Sequence, residues 1–373
     1  MKNSYLNSLA SSLVNLKSND LYRSLTSTDV VDATTIQIGQ KKLISFSSND
    51  YLGLSQNSAA KKAAIAAIKK FGIGAGASRY VSGNNSLYQK LEKQIAKMKG
   101  CGDAIVFSSG YATAIGVLPA LAGERDLILA DRLIHSCLID GAKLSGARLM
   151  RFLHNDVAHA AEILIQNRSK FKKCLIVTED VFSMDGDLGK VSELVKLAKK
   201  FDCLLISDGA HDLFLSSVEA ESFYLKMGTL SKAVGAFGGY IAGDKILIDY
   251  LRNFAKSQIY STALPPAILA AASASLKIIS QKNLGAKALK NAEYFCQLMN
   301  LPKPESAIVV IILGENKKVL QVAKKVTQKG FLISAIRPPT VEVGKARLRL
   351  TFSSAHQKIQ IKKLTEILQK LIA

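Results

Sequence analysis

The chain has 373 residues, 48% of them hydrophobic, with no Trp and a formal net charge of +21. This length accommodates two or three domains with sizeable cores, and plentiful Ile, Leu, Val and Ala is the palette of an α/β protein with buried parallel strands. The charge excludes little by itself, but basic pairs such as Lys41-Lys42, Lys69-Lys70 and Lys199-Lys200 are scattered and not interleaved with aromatics, which argues against a nucleic-acid platform and for Lys-rich solvated helix faces.

Along the chain, MKNSYLNSLASSLVNL (1–16) lacks a continuous apolar core and predicts an amphipathic helix, not a signal peptide. From about residue 60 to 245, helical patterns such as VSELVKLAKK (191–200) alternate with short apolar runs: AIVF (104–107), LILA (127–130), CLIVTE (174–179) and CLLISD (203–208). That alternation predicts a mostly parallel sheet with helices on both faces, and ligands beyond the carboxyl ends of its strands. A long helix should begin at the proline pair Pro265-Pro266. Its stretch AILAAASASLKII (267–279) is too short and interrupted to span a bilayer.

The last hundred residues change rhythm. SAIVVIIL (306–313), FLISAI (331–336) and ARLRLTF (346–352) read as strands. KKVLQVAKKVTQKG (317–330) reads as a helix ended by Gly330, and KIQIKKLTEILQKL (358–371) as a closing amphipathic helix. The expected organisation is an N-terminal arm over 1–45, a large domain over 46–260 and a smaller C-terminal α+β domain over 261–373. The five cysteines, Cys101, Cys137, Cys174, Cys203 and Cys296, show no CxxC spacing. Neither a disulfide framework nor a metal site is expected, and a reducing cytoplasm suits them.

Several residues carry chemistry. GTLSKAVGAFGG (228–239) places Lys232 among small residues after a short apolar stretch, leaving room for a Schiff base with a flat aromatic aldehyde. An exposed loop lysine is the bland alternative. Upstream, CLLISDGAH ends an apolar strand with Asp208, followed by His211. A buried carboxylate keeps a pyridine nitrogen protonated, and an imidazole three positions on can bond the ring's phenolic oxygen. Taken alone, Asp208 would be a cap or turn residue. Strand, Asp, His and a Gly-flanked lysine in succession form a much more specific pattern. In FSSGYATAIGVL (107–118), Gly110 and Tyr111 fall at a strand-to-helix turn suited to a phosphate, though an ordinary turn reads the same way. His135, in ADRLIHSCLIDG, also follows an apolar run and is either structural or stacked on a cofactor ring.

Longer motifs then resemble the α-oxoamine synthases, a subfamily of fold-type-I pyridoxal-phosphate (PLP) enzymes. They are FSSNDYLGL (46–54), FGIGAGASRYVSG (71–83), ADRLIHS (130–136), HNDV (154–157), TEDVFSMDGD (178–187), IYSTALPP (259–266) and IRPPTVEVGKARLRLTFSSAH (336–356). The resemblance implies an α/β fold-type-I transferase, with a mostly parallel seven-stranded sheet in the large domain. It implies that Lys232 carries PLP, His135 stacks on the ring, Asp208 holds the ring nitrogen and His211 the phenolic oxygen, with Ser183 nearby. Gly110, Tyr111 and Thr229 would hold the phosphate, joined by Thr262 of a neighbouring subunit in a homodimer with interfacial sites. Arg349 would grip the amino-acid carboxylate as a planar fork, helped by Asn49, while Arg23 and Thr340 match substrate contacts. No metal is implied.

The implied activity is an acyltransferase reaction, a decarboxylative condensation of an amino acid with an acyl thioester. The FSMDGD, IYSTALPP and IRPPTV forms favour the biotin-forming branch, with L-alanine and a pimeloyl thioester, over glycine acetyltransferase or 5-aminolevulinate synthase. The carrier is open between coenzyme A and acyl carrier protein. A non-catalytic protein on a PLP fold is the rival from another class. The chain departs from the family pattern at Gly209 and Asp212, in the shorter glycine-free DLFLSSVEAESFYLKM (212–227), and at Glu342.

Overall fold

The computed structural model describes residues 4–215 and 218–372. Its central element is a seven-stranded sheet in the spatial order Asp103–Phe107, Gly239–Gly243, Tyr224–Thr229, Leu204–Asp208, Cys174–Glu179, Leu127–Asp131 and Arg148–Phe152. Only Gly239–Gly243 runs antiparallel to its neighbours. Alternate residues feed opposite faces: Ile105, Ile128, Ala130, Leu175 and Val177 enter one core. Ala104 and Val106 enter a second core, and Leu127, Leu129 and Ile176 a third. Burial on both faces is why these strands read as continuous apolar runs. Each fully buried Leu or Ile contributes about 1.5–3 kcal/mol.

Local signals set the helices. Ser109 caps the helix Gly110–Leu121 by accepting from the Ala112 amide. Val191–Lys200 buries Val191, Leu194, Leu197 and Ala198, the single stripe its spacing predicts. Pro266 opens the helix Pro266–Gln281, which buries Leu269, Ala272 and Leu276. No helix among the described residues is long and apolar enough to cross a membrane.

The chain divides into two compact units, one of Asn49–Ser183 with Asp187–Lys287, the other of Met1–Ser48, Met184–Gly186 and Ala288–Ala373. The break therefore falls inside the helix Leu284–Met299 and not at Pro265-Pro266. The reason is packing: Pro266–Gln281 lies against Ser58–Phe71 and Ser86–Lys99, both in the central unit. Likewise, residues 1–45 belong with the C-terminal segment, because Lys41–Ser45 pairs in parallel with Phe331–Leu332. FLISAI is accordingly two strands: Phe331–Leu332 joins that sheet, while Ser334–Ile336 pairs antiparallel with Ala346–Thr351. Ala346–Thr351 also pairs with Ile308–Gly314, and the helices Asn316–Gln328 and Lys358–Ile372 complete this unit.

Candidate active site

In the central unit, the carboxyl ends of three sheet strands open onto a cleft of about 220 Å³. It is lined by Ser109, Gly110, Tyr111, His135, Cys137, Glu179, Asp208, Ala210, His211, Met227, Thr229, Ser231 and Lys232. The fold thus gathers Lys232, Asp208, His211, His135, Gly110, Tyr111 and Thr229 into one place.

Lys232 follows the strand Tyr224–Thr229 on a turn closed by the Gly235 amide donating to the Lys232 carbonyl at 2.9 Å. Gly235 has φ +68, and a Cβ there would collide with the Leu54–Ser55 backbone, so the turn demands glycine. Lys232 Nζ lies 2.8 Å from His211 Nε2. The other imidazole nitrogen of His211, Nδ1, lies 2.6 Å from the Tyr51 hydroxyl. Tyr51 in turn lies 3.1 Å from Asn49 Oδ1. Asn49 therefore reaches the site through a relay and not by lining the cleft.

Asp208 ends its strand, and its Oδ1 accepts from the Ala210 amide at 3.0 Å. Burial pushes the Asp208 carboxyl up, while Lys232 and His135 pull it back towards the ionised form. Its cross-strand neighbour is a second carboxylate, Glu179. Burial, and then the charge of Asp208, push the Glu179 carboxyl well above the ordinary range. Glu179 Oε1 also accepts from the His135 amide at 2.6 Å, fixing the start of the helix Ser136–Ser145. His135 Nδ1 accepts from the Cys137 amide at 3.2 Å, and burial lowers the imidazole's pKa, favouring a neutral ring.

Also lining the cleft, Ser109 Oγ caps the Ala112 amide, and Tyr111 bonds Asp140 through its hydroxyl. Thr229 donates its hydroxyl to the Gly238 carbonyl at 2.8 Å, and its Oγ1 accepts from the Ser231 amide at 3.2 Å. Its role here is to shape the turn carrying Ser231. A Cβ on Gly110 would come to 3.5 Å from Thr229 Cβ, so the missing side chain leaves a shelf at the helix start.

Other expected residues lie elsewhere. Ser183 does not line the cleft; its backbone amide bonds Glu179. Thr262 forms an isolated antiparallel bridge with Ser78, outside the cleft. Arg23, Thr340 and Arg349 belong to the other unit, where Arg23 Nη2 donates to Thr340 Oγ1 at 3.0 Å. Arg349 is 4% exposed on a strand buried throughout, which rules out a solvated-face residue.

Compared with known proteins, residues 41–368 match the model of the class I and II aminotransferases. The chain belongs to that family. Among curated members, the 8-amino-7-oxononanoate synthase of Methylocella silvestris is 44% identical over 90% of this chain and 98% of its own length. That of Methylobacterium nodulans is 42% identical over 96% of this chain and 95% of its own. A solved structure, a single-residue variant of serine palmitoyltransferase from S. paucimobilis with a bound PLP–myriocin aldimine, superimposes with a TM-score of 0.88 at 25% identity. It covers 99% of this chain and 97% of that one.

The cleft fits PLP on this chain's own geometry. An amine, an ionisable carboxylate and an imidazole line the same cleft as a helix N-terminus with hydroxyls and a side-chain-free shelf. Sequence reasoning missed Glu179, Ser231, Cys137 and Tyr51 as parts of this aminotransferase-family site. Glu179 closes an apolar strand just as Asp208 does, which was the available signal. Nothing local distinguishes the other three. Among the described residues, no group of three or more His, Cys, Asp or Glu is placed to hold a metal ion.

Proposed function

We propose that this chain is a PLP-dependent acyltransferase, an 8-amino-7-oxononanoate synthase. The reaction joins L-alanine to a pimeloyl thioester and releases 8-amino-7-oxononanoate, free thiol and CO2, a step of biotin formation. The observation that carries this reading is one cleft holding Lys232, His211, Asp208 and His135, in a chain 42–44% identical over nearly its full length to enzymes of that name.

PLP, when bound, supplies an electron sink for a carbanion at the amino-acid α-carbon. Lys232 Nζ would hold its aldehyde carbon and, once displaced, take the α-proton; His211, 2.8 Å away, is placed to share that proton. Asp208 would keep a proton on the ring nitrogen, with Glu179 its neighbour on the adjoining strand. His135, buried and neutral, offers an uncharged face for the ring. Gly110, Tyr111, Thr229 and Ser231 would hold the phosphate, joined by Ser183 near the ring and by Thr262 of a second subunit. Arg349 would hold the alanine carboxylate, with Arg23, Asn49 and Thr340 contacting substrate. A cytoplasmic homodimer with interfacial sites completes the proposal.

The test is a product assay by mass spectrometry, with L-alanine supplied alongside pimeloyl-CoA or pimeloyl acyl carrier protein. Formation of 8-amino-7-oxononanoate from either supports the reading and identifies the carrier. Turnover of glycine with acetyl-CoA, without the alanine product, would move the chain to the glycine acetyltransferase branch.

A further inference from the structure

His211 must keep both ring nitrogens on target, and the turn that carries it is held from behind. The Gly209 amide donates to the Met227 carbonyl at 2.9 Å, and the Asp212 amide to the Gly209 carbonyl at 3.0 Å. A Cβ on Gly209 would come 2.6 Å from Asp180 Oδ2, so the turn packs directly on that buried carboxylate. Phe214 sits at φ +57, a conformation a bulky side chain adopts only when its surroundings impose it.

Two buried lysines do the imposing. Lys99, the last residue of the helix Ser86–Lys99 and 5% exposed, sends its side chain inward. Its Nζ donates to Asp212 Oδ2 at 2.5 Å and lies 4.6 Å from the centre of the Phe214 ring. The second Asp212 oxygen, Oδ1, accepts from the Phe214 amide at 2.7 Å, so one carboxylate joins the lysine to the strained backbone. Lys226, 4% exposed in the strand Tyr224–Thr229, donates to the Lys99 carbonyl at 3.0 Å and the Val218 carbonyl at 2.5 Å. Burying two ammonium groups is costly unless each is bonded; Lys99 is bonded to this segment at Asp212, and Lys226 to it at Val218 and to the Lys99 carbonyl behind it. The chain carries Asp212 where the family pattern has glycine.

We propose that Lys99 is a positioning residue, which acts through Asp212 to hold the turn that aims the His211 imidazole at Lys232 Nζ. Its effect on the reaction is indirect, since Lys99 does not line the cleft. A misplacement of about 1 Å at a reacting group lowers turnover by up to about a hundredfold.

The proposal rests on the function given above, so its test has one readout that needs no turnover. Lys99→Met, Lys99→Arg, Asp212→Asn and the double variant Lys99→Met/Asp212→Asn are compared with the unaltered chain. In cofactor-free protein, the ring 15N shifts of His211, assigned with His211→Asn, report where the imidazole bonds. In holoenzyme, kcat and the KM for each substrate are measured with L-alanine and pimeloyl-CoA. Lys99→Met should move the His211 shifts and lower kcat about ten- to a hundredfold, with KM for the thioester little changed. Lys99→Arg should restore both, since it can pair with Asp212 again. The double variant, which removes the Asp212 charge along with its lysine, should regain part of the lost melting temperature but not kcat. Unchanged His211 shifts in Lys99→Met overturn the proposal, as does a double variant that regains stability and kcat together. If Lys99→Met fails to fold, Asp212→Asn and Lys99→Arg decide by the same two readouts. A chain that makes no 8-amino-7-oxononanoate yet shows the His211 displacement would refute the function while leaving the positioning intact.

Discussion

His154 offers the most quantitative test of the site's support. It lies between two carboxylates of the central unit, with Nδ1 3.1 Å from Asp131 Oδ1 and Nε2 2.7 Å from Asp187 Oδ2. Asp131 also accepts from the Leu133 amide at 2.8 Å, in the turn leading to His135. Burial works against the charged imidazole, but hydrogen bonds to Asp131 and Asp187 outweigh it and raise its pKa to about 10. From an ordinary value near 6.5, each unit of that rise corresponds to about 1.4 kcal/mol, giving a ceiling of about 5 kcal/mol. Its side chain is 19% exposed, and solvent screening brings the expected contribution to about 2–4 kcal/mol. Because the folded pKa is raised, this stabilisation is complete below pH ~6.5 and is lost as pH rises towards 10. His154→Gln should therefore melt well below the unaltered protein at pH 6. At about 2.1 cal/mol/K of unfolding entropy per residue, 3 kcal/mol is roughly 4 °C over the whole chain. Far-UV circular dichroism melts from pH 6 to 9.5 provide the assay, with the gap narrowing steadily as pH rises. A gap that stays constant, or widens with pH, would refute a charged His154 bridging the two carboxylates.

Two substitutions probe the cleft itself, and a third probes the proposed partner of the substrate carboxylate. Lys232→Ala should abolish turnover and covalent cofactor attachment while the fold survives; borohydride reduction with peptide mapping checks it, and a label on another lysine sinks the assignment. Asp208→Asn should retain PLP but lose several powers of ten in kcat, since an amide cannot keep the ring nitrogen protonated and each ~1.4 kcal/mol is about tenfold in rate. Near-normal turnover there would contradict its role. Arg349→Lys should raise the KM for alanine and lower kcat with PLP retention unchanged, because an ammonium cannot form two parallel hydrogen bonds to a carboxylate. Steady-state kinetics at saturating thioester decide it, and unchanged constants would remove Arg349 from the substrate's partners.

Local pattern was enough to mark the strand runs, the helix stripes and the punctuation between them. AIVF, LILA, CLIVTE and, after Cys203, LLISD all lie in sheet strands, because burial on both faces writes a continuous apolar run that needs no tertiary knowledge to recognise. It also determined that Asp208, His211 and Lys232 stand at strand ends, where parallel α/β sheets place ligands. The tertiary structure alone decided what those ends touch. Glu179 became the neighbour of Asp208 through strand register, a relation between segments that local periodicity does not encode. The Tyr51–His211 contact joins residues 160 apart and the Lys99–Asp212 pair residues 113 apart. The unit boundary moved from Pro265-Pro266 into Leu284–Met299, and FLISAI split between two sheets, because pairing partners distant in sequence set those limits. Short-range pattern fixes which face of an element is apolar. Which distant side chain meets that face follows from the packing of all elements at once.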